Sequence, residues 1–451
     1  LCGPGKSDIK KDGKLDLGLK ASSVRGRFLA ALGHRDFRML WTANLLAGSA
    51  AWALIVARGW LVLDMSESSL LVGIATFLAM IPRIVVTPFA GLLADRMNRR
   101  TLLALAHGLN LVHVLALGTL ALTGVIEVWH LMVLSLVNGV SRSIQMPTGG
   151  ALLPNLVPRE QLLNATALNA STMHGSRLLG PLVIAPLLTS TNVGWAFLAC
   201  ATMYALTLLQ ILRIRTVSTG EVRAGEGFAA KLLAGLSYTY RDPLLLSLVL
   251  LVAAHCALTM AFESLLPLFA QTKLQTEGAG VGYLMMAVGA GALLASIGLA
   301  GVQSSLIRGR LFFGMGLFSG VASVALAIAP NTLLALLAAA SLGAGGAGYM
   351  TLNATMVQAI VPDAIRGRIS GVQLWHTGGV MAFMNLGNGA MADVFRDPLV
   401  FGFSGASLLL LGAGGLFVAV MFFSILRAPL RRIYTEGTPT FSVAAHAVAP
   451  S

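Results

Sequence analysis

Apolar and polar residues fall in long blocks along this chain. Apolar runs of about 20 residues lie near 37–63, 70–94, 101–124, 129–152, 165–190 and 194–213, and again near 243–271, 279–302, 310–329, 331–357, 368–392 and 399–426. A helix of about 20 residues crosses the hydrocarbon layer of a bilayer, so the pattern predicts twelve transmembrane helices. The stretch 214–242 between the sixth and seventh runs is polar and glycine-bearing, with an amphipathic piece from Phe228 to Tyr240 suited to the membrane interface. The expected architecture is an all-α polytopic membrane protein. Its six-helix bundles occupy 37–213 and 243–426, a cytoplasmic linker spans 214–242, and a cytoplasmic arm (1–36) and tail (427–451) flank them.

The halves repeat one another. Arg35-Asp36 opens the first run and Arg241-Asp242 the seventh, while Leu156-Val157-Pro158 and Ile360-Val361-Pro362 both separate the fourth and fifth runs of their half. Such parallel repeats are the architecture of transporters with a central pathway.

Composition agrees and charge adds orientation. The chain has 451 residues, 56% hydrophobic and only 11% charged, against about 25% charged in soluble domains. Its net charge of +13 would suggest nucleic acid in a soluble protein. Here the Lys and Arg residues between spans crowd into one alternate set of segments, and the other set holds only Lys273 and Arg396. The charge is therefore an orientation signal, with both termini cytoplasmic, in the plasma (inner) membrane. No nucleic-acid partner is expected. Cys2, Cys200 and Cys256 lie far apart, so neither a disulfide framework, a metal site nor another cofactor is indicated. Residues 1–27 are polar and lysine-rich without an apolar signal-peptide core, and read as a disordered arm.

The loop Gly91-Leu92-Leu93-Ala94-Asp95-Arg96-Met97-Asn98-Arg99-Arg100 is a tight polar turn between the second and third runs. Gly91 permits close approach of a neighbour. Asp95 can accept from a helix N-terminus or pair with an arginine, and Arg96, Arg99 and Arg100 suit anionic headgroups. The pattern resembles the signature loop of the major facilitator superfamily. The equivalent place in the second half, Gly298-Leu299-Ala300-Gly301-Val302-Gln303, has no acid. Further along stand Asn138-Gly139-Val140-Ser141-Arg142, Met146-Pro147, Ala151-Leu152-Leu153-Pro154-Asn155-Leu156-Val157-Pro158-Arg159-Glu160, Asn164-Ala165, Leu168-Asn169 and Ser176-Arg177-Leu178-Leu179-Gly180-Pro181. Together these resemble the enterobactin-exporter-like branch, which includes macrolide and multidrug efflux relatives.

That resemblance implies a small-molecule exporter working by alternating access, with protons as coupling partner and the Gly91–Arg100 loop as an inner gate switched by Asp95. No ATP-binding P-loop is present. Gly180 and Pro181 resemble the glycine–proline element of antiporters, expected to pack across the half-to-half interface. An importer of the same fold and a non-transporting accessory protein stay open as alternatives.

Intramembrane charges are costly and are retained mostly inside bundles or wet cavities. Arg58, Arg83, Arg142 and Arg177 lie on the first, second, fourth and fifth spans, opposed by Glu263 on the seventh and by Asp393 near the far end of the eleventh. The first half of the pathway should be electropositive and favour an anionic, amphipathic cargo. Arg142 and Arg177 have a bracing role to weigh against cargo contact; Arg58 and Arg83 are the better specificity candidates. Asn44 reads equally as a substrate donor or a helix tie. His107, His113, His174, His255 and His376 read first as structural. The repeat carries Arg58 to position 264, so Arg58 and Glu263 are expected at one depth, as an ion pair.

Overall fold

A computed structural model describes residues 30–190, 192–219, 228–395 and 403–438. The first six spans are Arg35–Ser66, then Ser69–Met80 continuing as Pro82–Arg96, then Arg99–Leu122, Val128–Leu152, Leu162–Ser190 and Val193–Arg213. The seventh runs from Pro243–His255 to Leu266–Thr272, followed by Gly278–Leu299, Ser305–Ile328, Thr332–Ile360, Asp363–Val394 and Gly405–Ser424. The arm at 1–27, part of the linker, Arg396 and the end of the tail lie outside the described residues.

Nine of these helices are long and apolar enough to cross a membrane, among the described residues. The fourth, fifth and eleventh are as long but more polar, holding Arg142, Arg177 and His376. Short loops end on side chains that satisfy the exposed N–H groups of a helix start. Ser68 accepts from Leu71, Asn98 from Arg100, Asn192 from Gly194, Asp242 from Leu244 and Leu245, and Asn331 from Leu334.

Two spans expected to be continuous are interrupted, and proline explains both. A proline ring lacks an N–H and collides with the carbonyl four residues back. Pro82 divides the second span at Ile81. Pro267 opens the second part of the seventh, and the chain before it widens to a π-turn at Cys256–Met260 and unwinds through 261–265.

The two halves meet along two helix pairs. The second span packs on the eleventh, where a Cβ on Gly73 would stand 2.9 Å from the Asn385 carbonyl and Phe77 and Phe383 rings lie 5.3 Å apart. The fifth packs on the eighth, where a Cβ on Gly282 would stand 2.7 Å from Ala185. One face of the bundle, here the basic face, carries the described chain ends and the arginine-rich loops. Toward the opposite face the two helices meet backbone to backbone, Gly389 on Ser69 and Gly73 on Asn385, whereas toward the basic face Gly379 meets the second span only through the tip of the Ile84 side chain. The halves are thus zipped toward the opposite face and part toward the basic one.

Two segments beyond the spans are ordered by burying one face. The amphipathic linker forms the helix Phe228–Arg241, whose Gly235 lies against Arg368 and Val372 of the eleventh span and whose Tyr240 hydroxyl meets His376 Nε2 at 3.0 Å. The tail, expected only as a flank, forms the helix Ala428–Glu436. It buries Leu430 and Ile433 and joins Tyr434 to Ser424 at 2.9 Å.

Candidate functional site

The interruption of the seventh span builds the site. Peptide groups released from a helix inside a membrane need partners, and irregular backbone survives there only where protein or a wet cavity supplies them. The eleventh span supplies them here. Asn388 Nδ2 donates to the Ala261 carbonyl at 2.6 Å, and Asn385 Oδ1 accepts from the Ser264 N–H at 3.1 Å. Between these anchors sits Glu263, 7% exposed and, among the described residues, the one buried carboxylate.

The first half faces it with arginines. Arg58 and Arg177 are 3% and 7% exposed, and Arg83 and Arg142 are half-buried. Glu263 lies within electrostatic reach of Arg58, Arg83 and Arg177, and Arg142 of Arg58 and Arg83. The Arg177 guanidinium lies 4.4 Å over the Trp52 ring and 5.8 Å from that of Phe262, the neighbour of Glu263. A desolvated cation over an aromatic face gains about 2 kcal/mol. Arg83 Nε, Arg177 Nε and Nη2, and Glu263 Oε2 are buried without a hydrogen-bond partner. Buried polar groups left unmatched cost about 1–3 kcal/mol each, more when charged. Three cations around one anion, with a fourth, Arg142, beside Arg58 and Arg83, leave a positive excess with donors to offer.

The expected Arg58–Glu263 ion pair does not form: among the described residues neither takes part in a direct ion pair. The unwound turn 261–265 displaces Glu263 from the helical register on which the repeat argument relied, and its field is shared among three arginines.

The remaining candidates sort by their partners. Asn44 Nδ2 donates to Asn169 Oδ1 at 2.7 Å, tying the first span to the fifth. His255 lies stacked on Tyr349 at 4.6 Å and bonded to Ser319, inside the core of the second half rather than toward the pathway. His107 and His113 are buried on the third span. Gly180 abuts the Ser49 backbone of the first span, a contact within its own half. That corrects the expected interface role for Gly180. The half-to-half contact falls on Gly282, close to the Pro181 carbonyl, and on Gly289.

In the signature loop, Gly91 has open space around it. Asp95 lies in the last helical turn, with its side chain outside the described residues. Arg96 is exposed, as a headgroup contact requires. Arg99 and Arg100 have protein partners. Arg99 donates to the Ala94 and Ala151 carbonyls and to Ser218 Oγ, and Arg100 to the Leu212 carbonyl, pinning the loop to the fourth span, the end of the sixth and the start of the linker. Four contributors were not singled out from sequence: Trp52, Phe262, Asn385 and Asn388. An asparagine pair at i and i+3 on the eleventh span is a faint signal; without knowledge of the unwound turn it has no target.

Residues 27–431 match the family described as transmembrane secretion effector. The chain belongs to this family. It is a major facilitator transporter by fold and sequence. The chain is 28% identical over 392 residues to the enterobactin exporter of Shigella boydii, covering 86% of this chain and 92% of that one. It is 27% identical over the same length to the enterobactin exporter of Escherichia coli. The nucleoside transporter NupG superposes with a TM-score of 0.68 at 13% identity, covering 86% of this chain and 98% of that one. A bacterial homologue of the human lysosomal transporter Spinster gives 0.64 at 15%, covering 93% and 99%. At these identities the structural likeness speaks for the fold alone.

Proposed function

We propose that this chain exports a small, amphipathic, anionic molecule, siderophore-like or drug-like, across the plasma membrane by alternating access as a proton antiporter. The observation that carries the reading is the cluster of Arg58, Arg83 and Arg177 around Glu263, with Arg142 beside the first two and unpartnered guanidinium donors beside an aromatic wall. Such a site fits an anion with apolar or aromatic bulk. The relatives named as enterobactin exporters support outward transport and a siderophore-like cargo. Glu263 is the proton carrier in this reading: neutral it leaves the arginines to the cargo, ionised it competes for them. The basic face, and with it both termini, lies in the cytoplasm. The bundles occupy 37–213 and 243–426. The Gly91–Arg100 loop closes the inner side with Asp95 as its switching charge.

Inside-out membrane vesicles should accumulate an anionic catecholate siderophore against its gradient, and a protonophore should abolish the accumulation. Uphill accumulation that survives the protonophore overturns the coupling. Accumulation confined to right-side-out vesicles overturns the direction.

A further inference from the structure

At the end of the zipped interface, Asp393 reaches from the eleventh span to the N-terminus of the second. Its Oδ1 accepts from the Ser69 N–H at 2.7 Å, and its Oδ2 accepts from the Leu70 N–H at 2.9 Å and the Ser68 hydroxyl at 2.6 Å. The first N–H groups of a helix have no partner within it and carry partial positive charge, so a carboxylate from elsewhere is held by both effects. Here the helix belongs to one half and the carboxylate to the other. The geometry points to Asp393 as the latch of the gate on the opposite face: a charge that holds the second and eleventh spans together while the pathway is open toward the basic face, and that must let go for the cycle to turn.

Two further observations place the contact in a gate rather than in ordinary packing. The helices it joins are glycine-faced next to the contact, with Gly73 against the Asn385 and Leu386 carbonyls and Gly389 against the Ser69 backbone, so at this end they part without untangling side chains, the nearest interlocked pair being Phe77 and Phe383 further along. The eleventh span also holds the unwound turn, through Asn385 and Asn388, one to two helical turns before Asp393. Movement of the segment carrying Glu263 is thereby passed along one rigid helix to the latch. Asp393 is a positioning residue: it touches neither Glu263 nor the arginines.

This inference rests on alternating access, not on cargo, direction or coupling ion, and its test needs none of these. Thr76 is buried at 6% exposure on the second span, one turn beyond Gly73 and on the same face. Full-length protein in proteoliposomes, with Cys2, Cys200 and Cys256 replaced by alanine and Thr76→Cys added, is treated with a membrane-impermeant maleimide. Labelling should be slow with Asp393 present. It should accelerate at least tenfold on Asp393→Asn, which keeps the volume and removes the charge, and only a few-fold on Ser68→Ala, because the two N–H donors remain. Monodisperse elution and unchanged helicity mark the variants as folded. Equal labelling rates for Thr76→Cys with Asp393, with Asp393→Asn and with Asp393→Ala, in folded protein, overturn the latch while leaving the transport reading intact. Failure of transport in every assay, with the labelling difference present, does the reverse.

Discussion

Gly289 of the eighth span offers a sharp test of how the two halves fit. A Cβ built there would stand 2.6 Å from the Leu178 nitrogen, 2.7 Å from the Arg177 carbonyl carbon and 2.8 Å from its oxygen. All three are backbone atoms of the fifth span, so no side-chain rotation relieves them. Ordinary contact begins at 3.4 Å, so Gly289→Ala requires the fifth and eighth spans to part by about 0.8 Å. Inserting a methyl group into a packed interface costs about 1–3 kcal/mol. Gly298 lies on the same helix with nothing within 4 Å of its Cβ position. There alanine should be neutral or stabilise by up to about 1 kcal/mol, the ordinary helix preference.

The two costs can be separated. If the interface opens during the cycle, the strain falls on the zipped state only, and 1–3 kcal/mol moves the population toward the other state by about 5- to 150-fold. The peptide that Gly289 touches is that of Arg177, so the displacement also draws the guanidinium from Trp52. Gly289→Ala and Gly298→Ala would be purified, checked for helicity, and compared by labelling of Thr76→Cys and by binding of an anionic cargo. Gly289→Ala should label faster and bind more weakly; Gly298→Ala should match the parent. Equal behaviour of the two would refute the reasoning, because it would mean the helices yield freely where backbone meets backbone.

Glu263→Gln removes the buried carboxylate set against Arg58, Arg83 and Arg177, so proton-driven uphill flux should be lost while cargo exchange and counterflow in proteoliposomes persist; undiminished uphill flux would remove Glu263 from coupling. Asp95→Asn should leave insertion and folding intact and abolish net transport, and wild-type flux would exclude it as the inner switch. Asp36 accepts from the Arg215 and Thr216 N–H groups at 3.0 and 2.8 Å and from the Thr216 hydroxyl at 2.7 Å, so Asp36→Asn should loosen the chain after the sixth span by about 1–2 kcal/mol. Faster tryptic cleavage at Arg215 would report it, and an unchanged rate would count against that tie.

The all-helical, membrane-spanning class and the family were legible because each rests on a property that survives without coordinates. A 20-residue apolar run needs no partner to be recognised, and the signature loop and the Asn138 to Pro181 motifs name the family by their residues alone. The partners of polar groups are another matter. Asp36 and Asp242 occupy equivalent places in the repeat and look alike in sequence. Yet Asp242 caps its own helix at Leu244 and Leu245, whereas Asp36 holds a segment about 180 residues away. Asn44 likewise reads equally as donor to cargo or to protein until Asn169 is seen opposite it.

Local breaks decide what the repeat cannot. Arg58 reaches the level of Glu263 only if the seventh helix is continuous, and Pro267 breaks it. A proline at that place forbids the helical hydrogen bond to the carbonyl of residue 263 itself, so the residue that matters most is the one whose register is lost. The same break explains why the eleventh span carries Asn385 and Asn388: unwound backbone in a membrane must be answered by a neighbour, and a rigid neighbour answers best. That helix also carries Asp393 in its last turn, on the N-terminus of the second span. A proline in the seventh span thus accounts for the position of Glu263 and for the polar residues of the eleventh, and through that helix it reaches the contact that closes the opposite face.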